Sequence, residues 1–321
     1  MIKGLLQQIR MRGDRGAVVS FHRIDDLKKD MHELKNGDHH PQWLDRMTNH
    51  IMDAANKFVP ADMSFEPRSL ITVVMPSPKL ILQFWYHGKL IDVVVPPEYM
   101  NWDMENKRAL HYISNYLAPH GFSAVTAVTL PQKMLAVHAG LGQYGRNNIC
   151  YHEEFGSYMQ IMSYISDLPC EDADWFPLTR MGNCDKCHAC VNACPTGAIH
   201  GDRQLINSDR CITVANEFPG AFPEWLTQTM HNSIIGCIKC QDCCPANARN
   251  KDNIVVGTTF EEEETLAILN RGDDESYADV LATKLNQTGI APELSVYFPR
   301  NLSALLARRT DAFMVGSGYR N

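Results

Sequence analysis

No run of this chain is apolar for long enough to span a bilayer, so no membrane-spanning helix is expected. The first residues, Met1 to Asp14, hold neither the apolar core of a secretory signal nor a twin-arginine pair. Low-complexity tracts are absent, and the only internal repeat lies within the cysteines. Charge is modest at 21%, with a net of -7, which gives no general attraction for polyanions. These absences read as a cytoplasmic, monomeric protein with no membrane partner. What is present is ordinary for a globular chain: 321 residues and 45% hydrophobic content, enough for one large or two ordinary domains.

The cysteines are not ordinary. Eight of the eleven form one pattern. Cys184-Asp-Lys-Cys187-His-Ala-Cys190-Val-Asn-Ala-Cys194-Pro195 has the C-x2-C-x2-C-x3-C-P spacing of two-cluster bacterial ferredoxins. A second set follows: Cys211, then Cys237-Ile-Lys-Cys240-Gln-Asp-Cys243-Cys244-Pro245. Clustered thiols at ligand spacing argue for metal rather than disulfides in a cytoplasmic chain. Thiolate is the soft ligand that iron–sulfur clusters require, and Cys-Pro twice over is poorly matched by zinc knuckles. The expected ligands are Cys184, Cys187, Cys190 and Cys244 for a first 4Fe–4S cluster. Cys194, Cys211, Cys237 and Cys240 are expected for a second, the fourth ligand of each half crossing to the other cluster. Cys194 has a spacing that suits the first turn of a helix. Cys243 competes with Cys211, which is preferred because Cys243 and Cys244 would aim adjacent sulfurs at different clusters. Cys150 and Cys170 are spare and read as buried. Such clusters pass single electrons, so the chain reads as part of a reduction supplied by an external low-potential donor of ferredoxin or flavodoxin type.

Three zones organise the chain. Residues 1–175 alternate strand signals (Ala17–Phe21, Ser69–Met75, Leu80–Tyr86, Leu90–Val95, Phe122–Thr129) with helical ones (Trp43–Phe58, Asp103–Leu117, Gln132–Ala139). They predict an α+β or α/β sandwich, with hairpin or meander pairing over 69–95 rather than an all-parallel sheet. Asp103 is a candidate helix cap. Residues 176–250 form the two-cluster, ferredoxin-like zone. Residues 251–321 read as a C-terminal helical extension, with helices near Thr265–Asn270 and Asp279–Asn286. The acidic run Glu261–Glu264 reads as a solvated helix face or first turn.

Around the clusters the order of motifs becomes informative. Ala139-Gly-Leu-Gly-Gln-Tyr-Gly-Arg-Asn-Asn148, Gly156-Ser-Tyr158 and Ser166-Asp-Leu-Pro169 lead into the cysteines, followed by Asp209-Arg-Cys211-Ile-Thr213 and Gly236-Cys-Ile-Lys-Cys-Gln-Asp242. With the early strand Pro67–Pro76, this arrangement resembles the epoxyqueuosine reductase family and its relatives, the reductive dehalogenases. The resemblance covers roughly 65–250. It implies a nitroreductase-like cobalamin-binding domain, clusters that relay electrons to the corrinoid cobalt, and a small-molecule or modified-nucleoside substrate. The 140–148 turn and Ser157 would line the corrinoid, with Gly140, Gly142, Tyr144, Arg146, Asn147 and Ser157 as its contacts. A dinucleotide fingerprint is the weaker reading of Gly140-x-Gly142-x-x-Gly145, because it follows a helix-like segment where that fingerprint needs a strand.

One departure stands out. The family's catalytic Asp lies upstream of Ala-Gly-Leu-Gly, and the matching position is Thr126, with no carboxylate from Gly121 to Gly145. An altered substrate is therefore expected, with Tyr99, His138 and Tyr144 as candidate proton donors. His39-His40 reads as solvent-facing. An electron-transfer protein that reduces a corrinoid or a partner enzyme, with no substrate of its own, is the alternative.

Overall fold

The computed structural model describes residues 1–36, 58–60, 63–171, 173–201, 205–270, 282–284, 287, 289–290 and 296–316. The expected helix at Trp43–Phe58, apart from Phe58, the His39-His40 loop and most of the Asp279–Asn286 helix lie outside them. The chain divides into two compact units that interleave in sequence. One comprises Met1–Ser77, Met104–His188 and Ile199–Ser208; the other Pro78–Asp103, Ala189–Ala198 and Asp209–Asn321. This division does not follow the expected boundaries at 175 and 250, because each unit gathers strands from distant parts of the chain.

The first unit is built on a four-stranded antiparallel sheet in the order β1 (Arg15–Ser20), β2 (Ser69–Pro76), β8 (Met159–Ser166), β5 (Ala124–Thr126). Strand β2 is buried along its length except at Pro76. Successive side chains alternate faces, so it feeds two cores. Ile71, Val73 and Met75 pack with Leu5 and Ile9 of α1 (Ile2–Met11) and with Tyr112 and Ile113 of α3 (Trp102–Leu117). Leu70 packs with Leu27 of α2 (Arg23–Asn36) and Leu135 of α4 (Gln132–His138). The layers are helix, sheet, helix, as the α+β reading expected. Asp103 lies inside the first turn of α3 rather than at its cap.

In the second unit β3 (Lys79–Tyr86) pairs antiparallel with β4 (Lys89–Val95) and parallel with β9 (Ile254–Phe260). The β3–β4 turn takes positive φ at both His87 (49°) and Gly88 (68°), the twist a two-residue hairpin favours. The carboxylate of Glu262 accepts from both turn amides, at 2.8 and 3.2 Å. The hairpin expected within 69–95 is therefore β3–β4 alone; β2 joins the other sheet. The last zone is not purely helical: β9 completes this sheet, and Phe260 stacks on Phe84 at 4.7 Å. The acidic run begins α8 (Glu262–Leu269), where Glu261 and Glu264 form a reciprocal capping box. The closing helix α9 (Phe298–Gly316) packs against α8. Among the described residues no helix is long and apolar enough to cross a membrane.

Candidate functional site

The cysteine motifs sit on or beside short turns and short helices. Cys184 closes a 3-10 turn (Gly182–Cys184), and the amide of Cys187 reaches back to the Cys184 carbonyl at 3.3 Å. Both lie in the first unit; Cys190 and Cys194 lie in the second. Cys190 is in the first turn of α5 (Ala189–Ala193), and Cys194 follows the last turn, its amide on the Cys190 carbonyl. Cys194 therefore comes after a helix, not at the start of one. Helix α5 packs on α7 (Lys239–Asp242), which carries Cys240. Cys211 precedes α6 (Ile212–Glu217).

Within the second unit Cys194, Cys211 and Cys237 are near enough to act electrostatically on one another. Burial pushes the Cys211 thiol up, and the Cys237 thiol up to about 11. Polar groups face these sulfurs. Backbone amides of Thr213 and Val214 serve Cys211, and that of Lys239 serves Cys237. Asn232 Nδ2 lies 3.3 Å from Cys237 Sγ, and Thr196 Oγ1 3.6 Å from Cys194 Sγ. Donors aimed at sulfur suit thiolates that carry charge to a cluster. This donor set fits a 4Fe–4S cluster. Cys243 turns its thiol to the Cys240 carbonyl at 3.6 Å. Among the described residues no group of three or more His, Cys, Asp or Glu is placed to hold a single metal ion. The spare cysteines are buried: Cys150, its thiol pushed up to about 12 by burial, and Cys170, on the Val18 carbonyl at 3.6 Å.

The glycine-rich turn has a different character. It closes α4, with Gly140 at φ 76°, and leads into a two-stranded ribbon, β6 (Gln143–Tyr144) with β7 (Cys150–Tyr151). A Cβ on Gly142 would stand 2.7 Å from Cys150 Sγ and 2.8 Å from the Tyr151 carbonyl oxygen. These glycines serve turn geometry and close packing, not a strand-borne phosphate loop. Arg146, Asn147 and Ser157 are 4%, 3% and 4% exposed. These three side chains are enclosed almost wholly by protein. The Arg146 guanidinium donates to the carbonyls of Gly201 and Cys184. Asn147 Nδ2 donates to the Tyr151 hydroxyl at 2.8 Å. Gly140 and Gly142 of the expected set remain accessible, as does part of Tyr144.

Of the candidate proton donors, His138 is fully engaged. Its Nδ1 meets the Phe176 carbonyl at 2.6 Å, Nε2 meets Asp30 at 2.7 Å, and the ring stacks on Trp175. Both ring nitrogens of His138 are thereby held by residues of the first unit. Tyr99 belongs to the second unit, where its hydroxyl donates to Glu217 Oε1. Burial, then the Glu217 and Glu98 charges, hold its pKa well above the ordinary value. Burial also raises the pKa of Tyr144, which remains a neutral O–H. Thr126 lies on the edge strand β5, half-buried, paired with Tyr164 of β8. The Tyr99–Glu217 contact joins residues far apart in sequence, and no local pattern announces it; the Asn232–Cys237 contact is local, five residues apart.

Residues 183–247 match a 4Fe-4S double cluster binding domain. An epoxyqueuosine reductase from Staphylococcus aureus is 30% identical over 156 residues, 48% of this chain and 40% of that protein. One from Cyclobacterium marinum is 35% identical over 138 residues, 41% of this chain and 42% of that protein. The matched stretch thus spans about two fifths of the relatives' length. The solved epoxyqueuosine reductase of Streptococcus thermophilus superposes with a TM-score of 0.62 at 18% identity, covering 96% of this chain and 81% of that one. That of Bacillus subtilis, described with its catalytic aspartate loop swung out of the active site, gives 0.65 at 17%, covering 97% and 82%. This chain has the epoxyqueuosine reductase fold. The likeness of fold extends well beyond residues 65–250.

Proposed function

We propose that this protein is a cobalamin-dependent iron–sulfur reductase, similar to the epoxyqueuosine reductases, that acts on a different substrate. The observation that carries the reductase reading is the second cysteine set. Residues separated by up to 43 positions, Cys194 to Cys237, gather in one unit with polar donors on their sulfurs. In this reading Cys184, Cys187, Cys190 and Cys244 hold one 4Fe–4S cluster, and Cys194, Cys211, Cys237 and Cys240 the other. When bound, the clusters supply single electrons at low potential. The chain's own part is to hold thiolates, bury them and aim hydrogen bonds at them. Electrons come from an external ferredoxin- or flavodoxin-type donor. The corrinoid enters through the resemblance, and of the residues expected to line it only Gly140, Gly142 and Tyr144 are accessible.

The altered substrate rests on Thr126. A solved relative is described with an epoxyqueuosine-modified tRNA stem loop, and another by its catalytic aspartate loop. A threonine hydroxyl does not replace a carboxylic acid as a proton donor, and loss of a positioned acid costs about 100- to 10,000-fold in rate. The test supplies epoxyqueuosine-bearing tRNA, cobalamin and a strong reductant to the reconstituted protein. Little queuosine is expected, with a gain for Thr126→Asp. Robust conversion by the unmodified protein overturns the altered substrate. Failure to retain any corrinoid after desalting overturns the cobalamin part and favours an electron-transfer protein.

A further inference from the structure

Asn232 ties together the two ends of the loop from Met230 to Ile238. Asn232 Oδ1 accepts the Ile238 amide at 3.0 Å, while Nδ2 donates to the Met230 carbonyl at 3.0 Å. Those partners fix which way the amide faces: a backbone N–H demands oxygen on one side, and a carbonyl demands nitrogen on the other. The same Nδ2 lies 3.3 Å from Cys237 Sγ. A ligating thiolate is acceptor only, so the contact is an N–H···S bond with a single sense. Asn232 itself bonds no metal and stands five residues from the ligand.

We propose that Asn232 sets the potential of the second cluster, acting as a positioning residue that makes it easier to reduce. The inference rests on the reading that Cys194, Cys211, Cys237 and Cys240 share one 4Fe–4S cluster. Reduction adds one electron to that cluster, supplied by the external donor, and the extra negative charge spreads onto its sulfurs. A hydrogen bond to a ligand sulfur therefore strengthens on reduction and favours the reduced state. The bond is held in place before reduction by the two backbone contacts of Asn232, so little reorganisation opposes it.

The experiment is a mediated redox titration of the anaerobically reconstituted full chain, read by electron paramagnetic resonance, with iron counted in every sample. A Cys211→Ala variant identifies the first cluster's signal by removing the second. Asn232→Asp keeps the acceptor for the Ile238 amide and loses the donor; Asn232→Leu loses both. The expected result for either variant is full iron with a second cluster about tenfold less reduced at a fixed applied potential, a fall of ~59 mV for one electron. The first cluster should titrate unchanged. Asn232→Asp should fall further because it adds charge. Full iron with an unmoved second potential overturns the proposal. If both variants shed the second cluster, Asn232 is structural and the proposal also falls. An unmodified protein that takes up only one cluster overturns the underlying ligand reading instead.

Discussion

The cysteine segments and the glycine-rich turn were both read from short motifs, and they fare differently. The cysteines are few, chemically distinctive and spaced by the demands of a rigid inorganic body. Spacing therefore carries their meaning, and the fold brings Cys194, Cys211 and Cys237 together across long loops. The turn's polar residues, Arg146 and Asn147, are versatile donors. Their motif says that they matter without saying what they bind, and here they bind the protein itself. A ligand set with one use is legible in sequence; a donor with many uses is not.

The largest effect that would sharpen the comparison concerns the ligands. Unmodified protein should take up ~8 irons per chain after anaerobic reconstitution. Cys211→Ala should lose about half of that iron, whereas Cys243→Ala, its thiol on a backbone carbonyl, should keep it. A worse loss in Cys243→Ala would reverse the assignment. Next is Arg146. Replacing it with Met removes a buried guanidinium from two carbonyls and should lower stability by about 2–4 kcal/mol, seen as a lower thermal midpoint. Lys should not rescue it, having no planar fork. Unchanged melting would mean that Arg146 is free for a ligand after all. Gly142→Ala is smaller, about 1–3 kcal/mol, because a Cβ there meets a sulfur at 2.7 Å and a backbone oxygen at 2.8 Å.

A further effect is one of pH. Burial raises the Glu217 carboxyl from 4.5 to about 7, opposed in part by the Tyr99 hydrogen bond. The folded state thus holds this proton more tightly than the unfolded one. Its stabilising contribution is present below pH 4.5 and is lost as pH rises through about 7. The thermal midpoint of Glu217→Gln should therefore gain on that of the parent across that interval. Parallel pH profiles for the two proteins would show that Glu217 ionises normally.

Much of the fold was readable. Strands β1 to β5 and helices α3 and α4 were readable from their apolar residues; β2 and α4 are buried on more than one face and read as nearly continuous apolar runs. The β-branched run Ile254-Val-Val falls in a zone expected to be helical, yet forms β9, whose partner β3 is distant in sequence. Helix α2 is mostly polar, and Ile24, Leu27 and Met31, with Leu34 beside them, mark its buried face. Of the site, the cysteine motifs that match a 4Fe-4S double cluster binding domain were legible, whereas the partners of His138 were not: a lone histidine looks the same whether it meets solvent or Asp30.

Local chemistry alone determined the redox character of this protein, because thiolates at C-x2-C spacing followed by Cys-Pro have few other uses. It also determined where most strands and helices run, because alternation and 3.6-residue periodicity are written residue by residue. The tertiary structure decided what pairs with what. Strand β2 turned away from its neighbour β3 to lie between β1 and β8, and β9 crossed most of the chain to reach β3. It decided, too, that Arg146 would face the carbonyls of Gly201 and Cys184. Such choices depend on contacts between segments distant in sequence, whose energies no local window contains.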